Sequence, residues 1–439
     1  MDTFFKISER GSSIGTEVLG GLTTFLAMAY IIAVNPQLLV AAGVPFEAAL
    51  TATCIGAAVM TLAMGLIANR PVALASGMGI NAIVAYTLVL GGVNVDWRVA
   101  MAIVFLEGIV IFLLVACGLR KAVMDAIPGD LRHAIGIGIG LFIAFIGLKG
   151  GGIIVSSDST ILTLGNLSAP AALVSVIAIV IAVLLQVLNV KGGLLISIVV
   201  ATVIGIPLGV TPMPENCSFG LDFSAFAAPF QTIPGTDTMA IVQVFLQPAC
   251  LLFVFSLLMS DFFDTMGTVV AVGQQGDFAD KEGNVEDIQP ILLVDSAAAV
   301  AGGFFGASSI TTFVESSSGA AAGARTGFSN IIVAICFVVF AFFSPIIAMV
   351  SSSATCGALV VVGSLMLSDV VNIDWGRIEH SFPAFCTIMG IPMTYSITNG
   401  IGFGFIMYCL IMIVRGKASE VKPLMWVAAV AFFLMFVLA

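Results

Sequence analysis

The sequence predicts an all-α polytopic membrane protein with about fourteen transmembrane segments. Of its 439 residues, 60% are hydrophobic and 9% are charged, and the mean hydropathy is +1.17. Soluble globular domains are far less apolar and far more charged than this. At roughly 20 residues per span, the length leaves few residues for a soluble domain. We therefore expect a chain that crosses the membrane many times.

The first half of the chain contains seven apolar stretches. They lie at 18–40, 48–68, 72–92, 99–117, 134–148, 171–188 and 194–210. Residues 1–17 carry acids and lack the basic-then-apolar pattern of a cleaved signal, so we expect them to be a cytoplasmic N-terminal segment. Residues 211–238 are rich in proline, contain no lysine or arginine, and are expected to form an extracytoplasmic loop.

The second half, 239–439, again contains a series of apolar stretches. They lie at 240–272, 291–307, 308–327, 331–350, 357–367, 382–414 with an interruption at Pro392, and 424–438. The third stretch of each half is irregular and rich in small residues: PVALASGMGINA at 71–82 and SSITTFVESSSGAAAG at 308–323. We expect extended backbone followed by a half-helix in both. Paired broken segments at corresponding positions indicate a transporter site between two inverted repeats.

Three acids lie in or beside these apolar stretches, Asp261, Asp264 and Glu315. Each costs about 2.5 to 3.5 kcal/mol at the centre of a bilayer, so an acid there indicates function. No lysine or arginine lies between 240 and 272 to neutralise the aspartates. Carboxyls that bind and release a proton suit proton-coupled transport. Asp261 could instead lie at a membrane interface.

Helical spacing places Asp261, Asp264 and Thr268 on one helix face. Thr268 could hold the Asp264 carboxylate or offer its hydroxyl to a substrate. Asn81, in the first broken segment, offers a donor and an acceptor, or caps a helix. Phe313 could stack on a planar ligand.

The sequence also excludes several classes of function. It contains no basic stripe for nucleic acid, no Cys/His spacing for a metal, no HExxH motif and no ring of acids. We expect a transporter without cofactors, not an enzyme or a channel. An anion transporter of the same architecture stays open as the alternative, but it requires both Asp264 and Glu315 to be protonated.

The distribution of basic residues predicts the orientation. Lys6 and Arg10 precede the first stretch, and further basic residues follow the fourth, sixth and tenth stretches, namely Arg120, Lys121, Lys191 and Arg325. Cytoplasmic loops are enriched in lysine and arginine, so this pattern predicts a cytoplasmic N-terminus.

Long motifs of this chain resemble those of the AzgA-like purine permeases, in the nucleobase/cation (nucleobase/ascorbate) symporter superfamily. The matching stretches are GGLTTFLAMAYIIAVNP (20–36), ASGMGINAIVAY (75–86), SDFFDTMGT (260–268), GASSITTFVESSSGAAAGARTG (306–327) and PAFCTIMGIPMTYSITNGIGFGF (383–405). The chain departs from the usual motifs at Ser76, where a proline is common, and at Ala27, where a threonine is common.

The resemblance implies two inverted repeats of seven segments, 18–210 and 239–439. Segments 1–4 and 8–11 would form a core domain, and segments 5–7 and 12–14 a gate domain. It implies proton-coupled symport of adenine, guanine or hypoxanthine across the plasma membrane, the inner membrane in bacteria, by an elevator movement in a homodimer. The family acids fall on Asp264 and Glu315 and the family asparagine on Asn81. Ser316 completes the Glu-Ser motif beside them.

Overall fold

The computed structural model describes residues 2–91, 94–118, 127–213, 220–279 and 285–438, and most of them are helical. In the first half the helices are α1 (Asp2–Phe5), α2 (Ile14–Met28), α3 (Ile31–Ala41), α4 (Phe46–Ile67), α5 (Met78–Ala82), α6 (Trp97–Ala116), α7 (Gly129–Gly150), α8 (Pro170–Val187) and α9 (Gly193–Gly205). A π-helical stretch, Ile83–Val89, continues α5.

The second half repeats this helical character. Its helices are α10 (Ala240–Leu246), α11 (Pro248–Gln275), α12 (Ile288–Phe305), α13 (Ser316–Ala321), α14 (Phe328–Ala341), α15 (Ser344–Ala348), α16 (Ser352–Met366), α17 (Ile378–Met393), α18 (Ile397–Val414) and α19 (Pro423–Leu438). Short 3₁₀ turns lie at Ala228–Phe230, Leu367–Asn372 and Ala418–Glu420.

Nine helical segments of the described residues are long and apolar enough to cross a membrane. They include α4, α6 and α7 in the first half and α12 and α18 in the second. Several further apolar helices are shorter, among them α9 and α14. The predicted polytopic helical membrane protein is therefore confirmed.

Both broken segments have the predicted extended backbone. Strand β1 (Leu74–Ser76) pairs antiparallel with β4 (Ile310–Thr312), with Leu74 opposite Thr312. Two backbone hydrogen bonds extend the ladder, from Phe313 to Ala73 and from Gly77 to Ser309, each 2.9 Å. Each strand then runs into a short helix, α5 or α13. Because strand pairing satisfies these backbone groups, extended chain is tolerated within a membrane protein.

Glycines allow the helices around the paired strands to pack closely. A Cβ atom on Gly327 would clash with the backbone of Gly65, and one on Gly65 would clash with the carbonyl of Gly327. Gly108 of α6 likewise lies against the backbone of α12 at Val300. Small residues at helix contacts are typical of membrane proteins, where close van der Waals packing drives association.

The helices pack in two sets. The first contains α2, α4, α6, α11, α12 and α14, which pack among themselves and around the paired strands. The second contains α7, α8, α9, α16, α17 and α18, in which α16 packs against α7, α8 and α9. The paired strands therefore belong to the first set.

Two features, one in each half of the chain, differ from the sequence prediction. Strands β2 (Ile154–Ser157) and β3 (Ile161–Leu164) form a hairpin between α7 and α8, where no element is predicted from the sequence. The run at 382–414 is interrupted after Met393, because helix α17 keeps Pro392 in its last turn and α18 begins at Ile397.

Candidate functional site

A cavity of about 1000 Å³ lies between the two sets of helices. Its first wall is formed by α11 and by the start of α13, and its second by α7, α16 and the turn at 189–193. Its lining includes Asp264, Thr268 and Glu315, and its charged groups also include Arg132 and Lys191. A cleft of this size can hold a small organic ligand, and its polar groups can orient that ligand.

Helix α11 presents Asp264 and Thr268 to the cavity, four residues apart and hence on one face. The Asp264 side chain is exposed to this space, while Thr268 is 6% exposed. Within the described part of the chain, Asp264 forms no ion pair with lysine, arginine or histidine. Its carboxylate can therefore accept hydrogen bonds from a bound molecule.

Glu315 lies where β4 gives way to α13, at the N-cap position of that helix. It lines the same cavity as Asp264, and Tyr30 Oη donates a 2.5 Å hydrogen bond to Glu315 Oε1. Tyr30 is 1% exposed and lies between α2 and α3. The tyrosine therefore fixes one carboxylate oxygen of Glu315.

The other three predicted binding residues are buried beside the cavity and do not line it. Asn81 is completely buried, and neither its Nδ2 nor its Oδ1 has a hydrogen-bond partner in the described part of the protein. Ser316 Oγ accepts a 2.9 Å hydrogen bond from Ala73 N, which ties α13 to the chain before β1. Phe313 is 6% exposed and belongs to the hydrophobic core.

Asp261 also points away from the cavity. It is 1% exposed, and its carboxyl lies at hydrogen-bonding distance from that of Glu107 on α6. Asp295 of α12 is a third buried acid beside this pair. Thr265 Oγ1 donates a 2.8 Å hydrogen bond to Asp295 Oδ2, and Thr312 N donates one of 3.2 Å to Asp295 Oδ1.

Three residues in or beside the candidate site were missing from the sequence prediction. Tyr30 gave no signal, because nothing in an apolar helix indicates a contact with a residue 285 positions away. Glu107 and Asp295 did give one: each is a lone acid in an apolar run, as Asp264 is. Of the two departures from the usual motifs, Ala27 lines the cavity, and Ser76 is fully buried in β1.

Among the described residues, no group of three or more His, Cys, Asp or Glu side chains is arranged to hold a metal ion.

Comparison with known proteins identifies the family. Residues 15–403 match the family model described as "Permease family". The chain is 40% identical to "Guanine/hypoxanthine permease PbuG" of Bacillus subtilis (strain 168), over 100% of this chain and 99% of that protein. It is 36% identical to "Adenine permease AdeP" of Escherichia coli (strain K12), over 99% and 95%.

The fold also resembles a solved structure, the transmembrane domain of the cyanobacterial bicarbonate transporter BicA. The TM-score is 0.62 at 16% identity, covering 95% of this chain and 97% of that one. At this identity the likeness concerns the fold alone. From the family match and the relatives, the chain belongs to the Permease family within the nucleobase/ascorbate transporter superfamily, and it is a multi-pass membrane transporter and not an enzyme.

Proposed function

We propose that this protein is a proton-coupled symporter for a purine base, namely adenine, guanine or hypoxanthine. The observation that carries the proposal is the presence of Asp264 and Glu315 on the same wall of one cavity, Asp264 on α11 and Glu315 at the start of α13. The curated relatives are named as guanine/hypoxanthine and adenine permeases, which supports the same substrate class.

The chemistry of the two acids suits a purine. Purines present ring N–H and exocyclic amino groups, and a carboxylate accepts hydrogen bonds from such donors. Asp264 and Glu315 line the same cavity, so one planar base bound there would contact both. Asn81, with its unpartnered carboxamide, would complete the recognition from behind the cavity wall. Thr268 would contribute a hydroxyl beside Asp264.

The remaining predicted residues would act indirectly. We propose that Ser316 holds α13 in place through its bond with Ala73, and that Phe313 packs behind the base. The proton-coupling acids would be Asp264 and Glu315, which line the cavity, and Asp261, which is buried behind it.

The proposed architecture is two inverted repeats of seven segments. The first repeat would comprise 14–41, 46–67, 74–89, 97–116, 129–150, 170–187 and 193–205, and the second 248–275, 288–305, 310–321, 328–341, 352–366, 378–393 and 397–414. Corresponding pairs pack alike: α4 lies against α14, as α12 lies against α6. This assignment leaves α19 as an additional helix.

The two sets of helices would then be the core and the gate. The core, segments 1–4 and 8–11, holds Asp264 and Glu315, and the gate, segments 5–7 and 12–14, supplies the opposite wall. Movement of the core along the gate would carry the base across the membrane in an elevator-type cycle. We also propose a homodimer, by resemblance to the family.

The proposed N-terminus is cytoplasmic. Arg10 Nη1 donates hydrogen bonds to the carbonyls of Asn69 and Arg325, so the N-terminal segment lies beside two inter-segment turns. Basic residues concentrate on this face, and Lys191 lies in the cavity lining. The cavity would thus open to the cytoplasm. Arg120 and Lys121, which also supported this orientation, lie outside the described residues.

An anion is less suited to the site. The fold resembles that of a bicarbonate transporter, but Asp264 and Glu315 would repel an anion unless both were protonated. The cavity chemistry therefore favours a neutral base over an anion.

Uptake of radiolabelled adenine, guanine, hypoxanthine, uracil and sulfate tests the proposal in cells that lack their own permeases. We expect uptake of at least one purine, abolished by a protonophore and by Glu315→Gln or Asp264→Asn. Glu47→Gln, which changes an exposed acid in the first turn of α4, is the matched control and should leave uptake unchanged. Sulfate uptake, or purine uptake that is unaffected by the cavity variants, would contradict it.

A further inference from the structure

A buried pair of acids lies behind the cavity wall. Glu107 is the eleventh of the 20 residues of α6, so it lies near the middle of an apolar helix. Its side chain is 0% exposed. Neither of its carboxyl oxygens accepts a hydrogen bond from a donor group of the described residues. What faces them instead is the carboxyl of Asp261, at hydrogen-bonding distance.

In a buried site, two carboxylates in such contact strongly disfavour the state in which both are ionised, because like charges at that separation repel. A single proton resolves the conflict, since it turns one acid into a donor and the other into an acceptor. This is how paired carboxyls elsewhere share a proton, and they then titrate as a pair.

Among the described residues, no positively charged group faces Glu107. The charged groups that face Glu107 from neighbouring elements are Asp261 of α11 and Asp295 of α12. The other elements packed against α6 are α10, the 3₁₀ turn at Ala228–Phe230 and the π-helical stretch. Their described residues include one titratable side chain, Tyr86, whose ring lies against Tyr395, 5.4 Å between centroids.

Asp295 differs from the pair because it accepts from several donors. Thr265 Oγ1, Thr311 Oγ1 and Thr312 N all donate to it, at 2.8 to 3.3 Å. Three donors suit an ionised carboxylate. A proton in this cluster therefore belongs to Glu107 and Asp261, and Asp295 links them to strand β4, which leads directly to Glu315.

We propose that Glu107 and Asp261 hold one shared proton and form a second binding site for the coupled proton, behind Asp264 and Glu315 of the cavity. The pair takes this proton from water and returns it to water, so its charge alternates between −1 and −2. Asp261 lies one helical turn from Asp264. Loss of the proton would add a negative charge there and disfavour the ionised Asp264 that accepts hydrogen bonds from a base. Proton binding and base binding would therefore favour each other.

The coupling role rests on the proposed purine transport, and two assays on purified protein in liposomes separate the two ideas. The first is counterflow, the exchange of labelled for unlabelled purine, which requires binding and movement but no net proton transfer. The second is purine accumulation driven by a pH gradient. For Glu107→Gln we expect counterflow within threefold of wild type and accumulation reduced at least tenfold.

Glu47→Gln serves as the matched control, because it makes the same change at an exposed position, and it should behave as wild type in both assays. Equal losses of counterflow and accumulation in Glu107→Gln would show that Glu107 is structural. Unchanged accumulation, or accumulation driven by a sodium gradient instead, would also overturn the proposal. A wild type without purine counterflow would refute the proposed function itself.

Infrared spectroscopy tests the shared proton independently of transport. At neutral pH, wild-type protein should show the carbonyl stretch of a protonated carboxyl. This band should disappear in Glu107→Gln, since the new amide donates to Asp261 and removes the need for a proton, and it should persist in Glu47→Gln. An unchanged band in monodisperse Glu107→Gln, or no band in the wild type, would overturn the shared proton even if purine transport is confirmed.

Discussion

The hydrogen bond from Tyr30 to Glu315 makes a specific prediction about base affinity. Tyr30→Phe removes the hydroxyl and keeps the buried ring. A hydrogen bond to a charged group contributes about 1.5 to 3 kcal/mol. Because Glu315 lines an open cavity, water can replace part of the lost bond, so we expect the lower end of that range. A loss of about 1.4 kcal/mol corresponds to a tenfold weaker affinity.

The assay is equilibrium binding of the transported purine to purified protein, with thermal stability measured in parallel. Tyr408→Phe is the matched control, because it removes a hydroxyl from a partly buried tyrosine of α18, which does not line the cavity. We expect about tenfold weaker binding for Tyr30→Phe, and no change for Tyr408→Phe. The melting temperatures of both should stay close to wild type, since each ring still packs.

Two results would refute this reasoning. If Tyr30→Phe binds within twofold of wild type, orientation of Glu315 by the tyrosine does not matter for recognition. If both variants weaken binding equally, the effect is a general consequence of losing a hydroxyl.

Three further predictions concern the packing that supports the site. Gly327→Ala should destabilise the protein by about 1 to 3 kcal/mol, because the new Cβ would clash with the backbone of Gly65. Gly136→Ala is the control, because Gly136 has open space around it and the variant should keep the wild-type stability. Equal melting temperatures for the two variants would contradict this prediction. Asn35→Ala should lower the free energy of unfolding by about 1 to 3 kcal/mol. The reason is that Asn35 Nδ2 donates hydrogen bonds to Thr53 Oγ1 (2.8 Å) and to the carbonyl of Ala307 (3.3 Å). An unchanged urea or thermal midpoint would count against this prediction. Ser316→Ala should lower the melting temperature, because Ala73 N loses its hydrogen-bond acceptor. The affinity for the base should change less than threefold. A large loss of affinity at unchanged stability would show instead that Ser316 contacts the base.

The broken segments and the two cavity acids could be predicted from the sequence for physical reasons. Runs of small residues within an apolar stretch cannot form an ordinary spanning helix, and the structure has paired strands at both. An acid in an apolar stretch is expensive, and this cost identified Asp264 and Glu315 together with Asp261. Both line the cavity.

Two further buried acids could have been predicted in the same way. Glu107 and Asp295 carry the same cost in their apolar helices, and a uniform search for lone acids would have found them. The hairpin at 154–164 also had a signal, because β-branched residues flank the polar centre of IVSSDSTILTL. The apolar composition alone predicts helices and does not show this hairpin.

Other features depend on tertiary contacts and could not be predicted from local sequence. The pairing of Tyr30 with Glu315 and of Glu107 with Asp261 joins segments far apart in the chain. The hydrogen bond from Ala73 N to Ser316 Oγ likewise depends on how the two broken segments lie against each other. Helical spacing correctly placed Asp264 and Thr268 on one face, but it also placed Asp261 there, and Asp261 instead faces α6.

A structure of the protein with its transported purine bound tests the central claim most directly. The account predicts the base in the cavity between Asp264 and Glu315, with its N–H groups within hydrogen-bonding distance of both carboxylates and Asn81 turned toward it. A base bound elsewhere, or bound in the cavity without contact to either acid, would contradict the account.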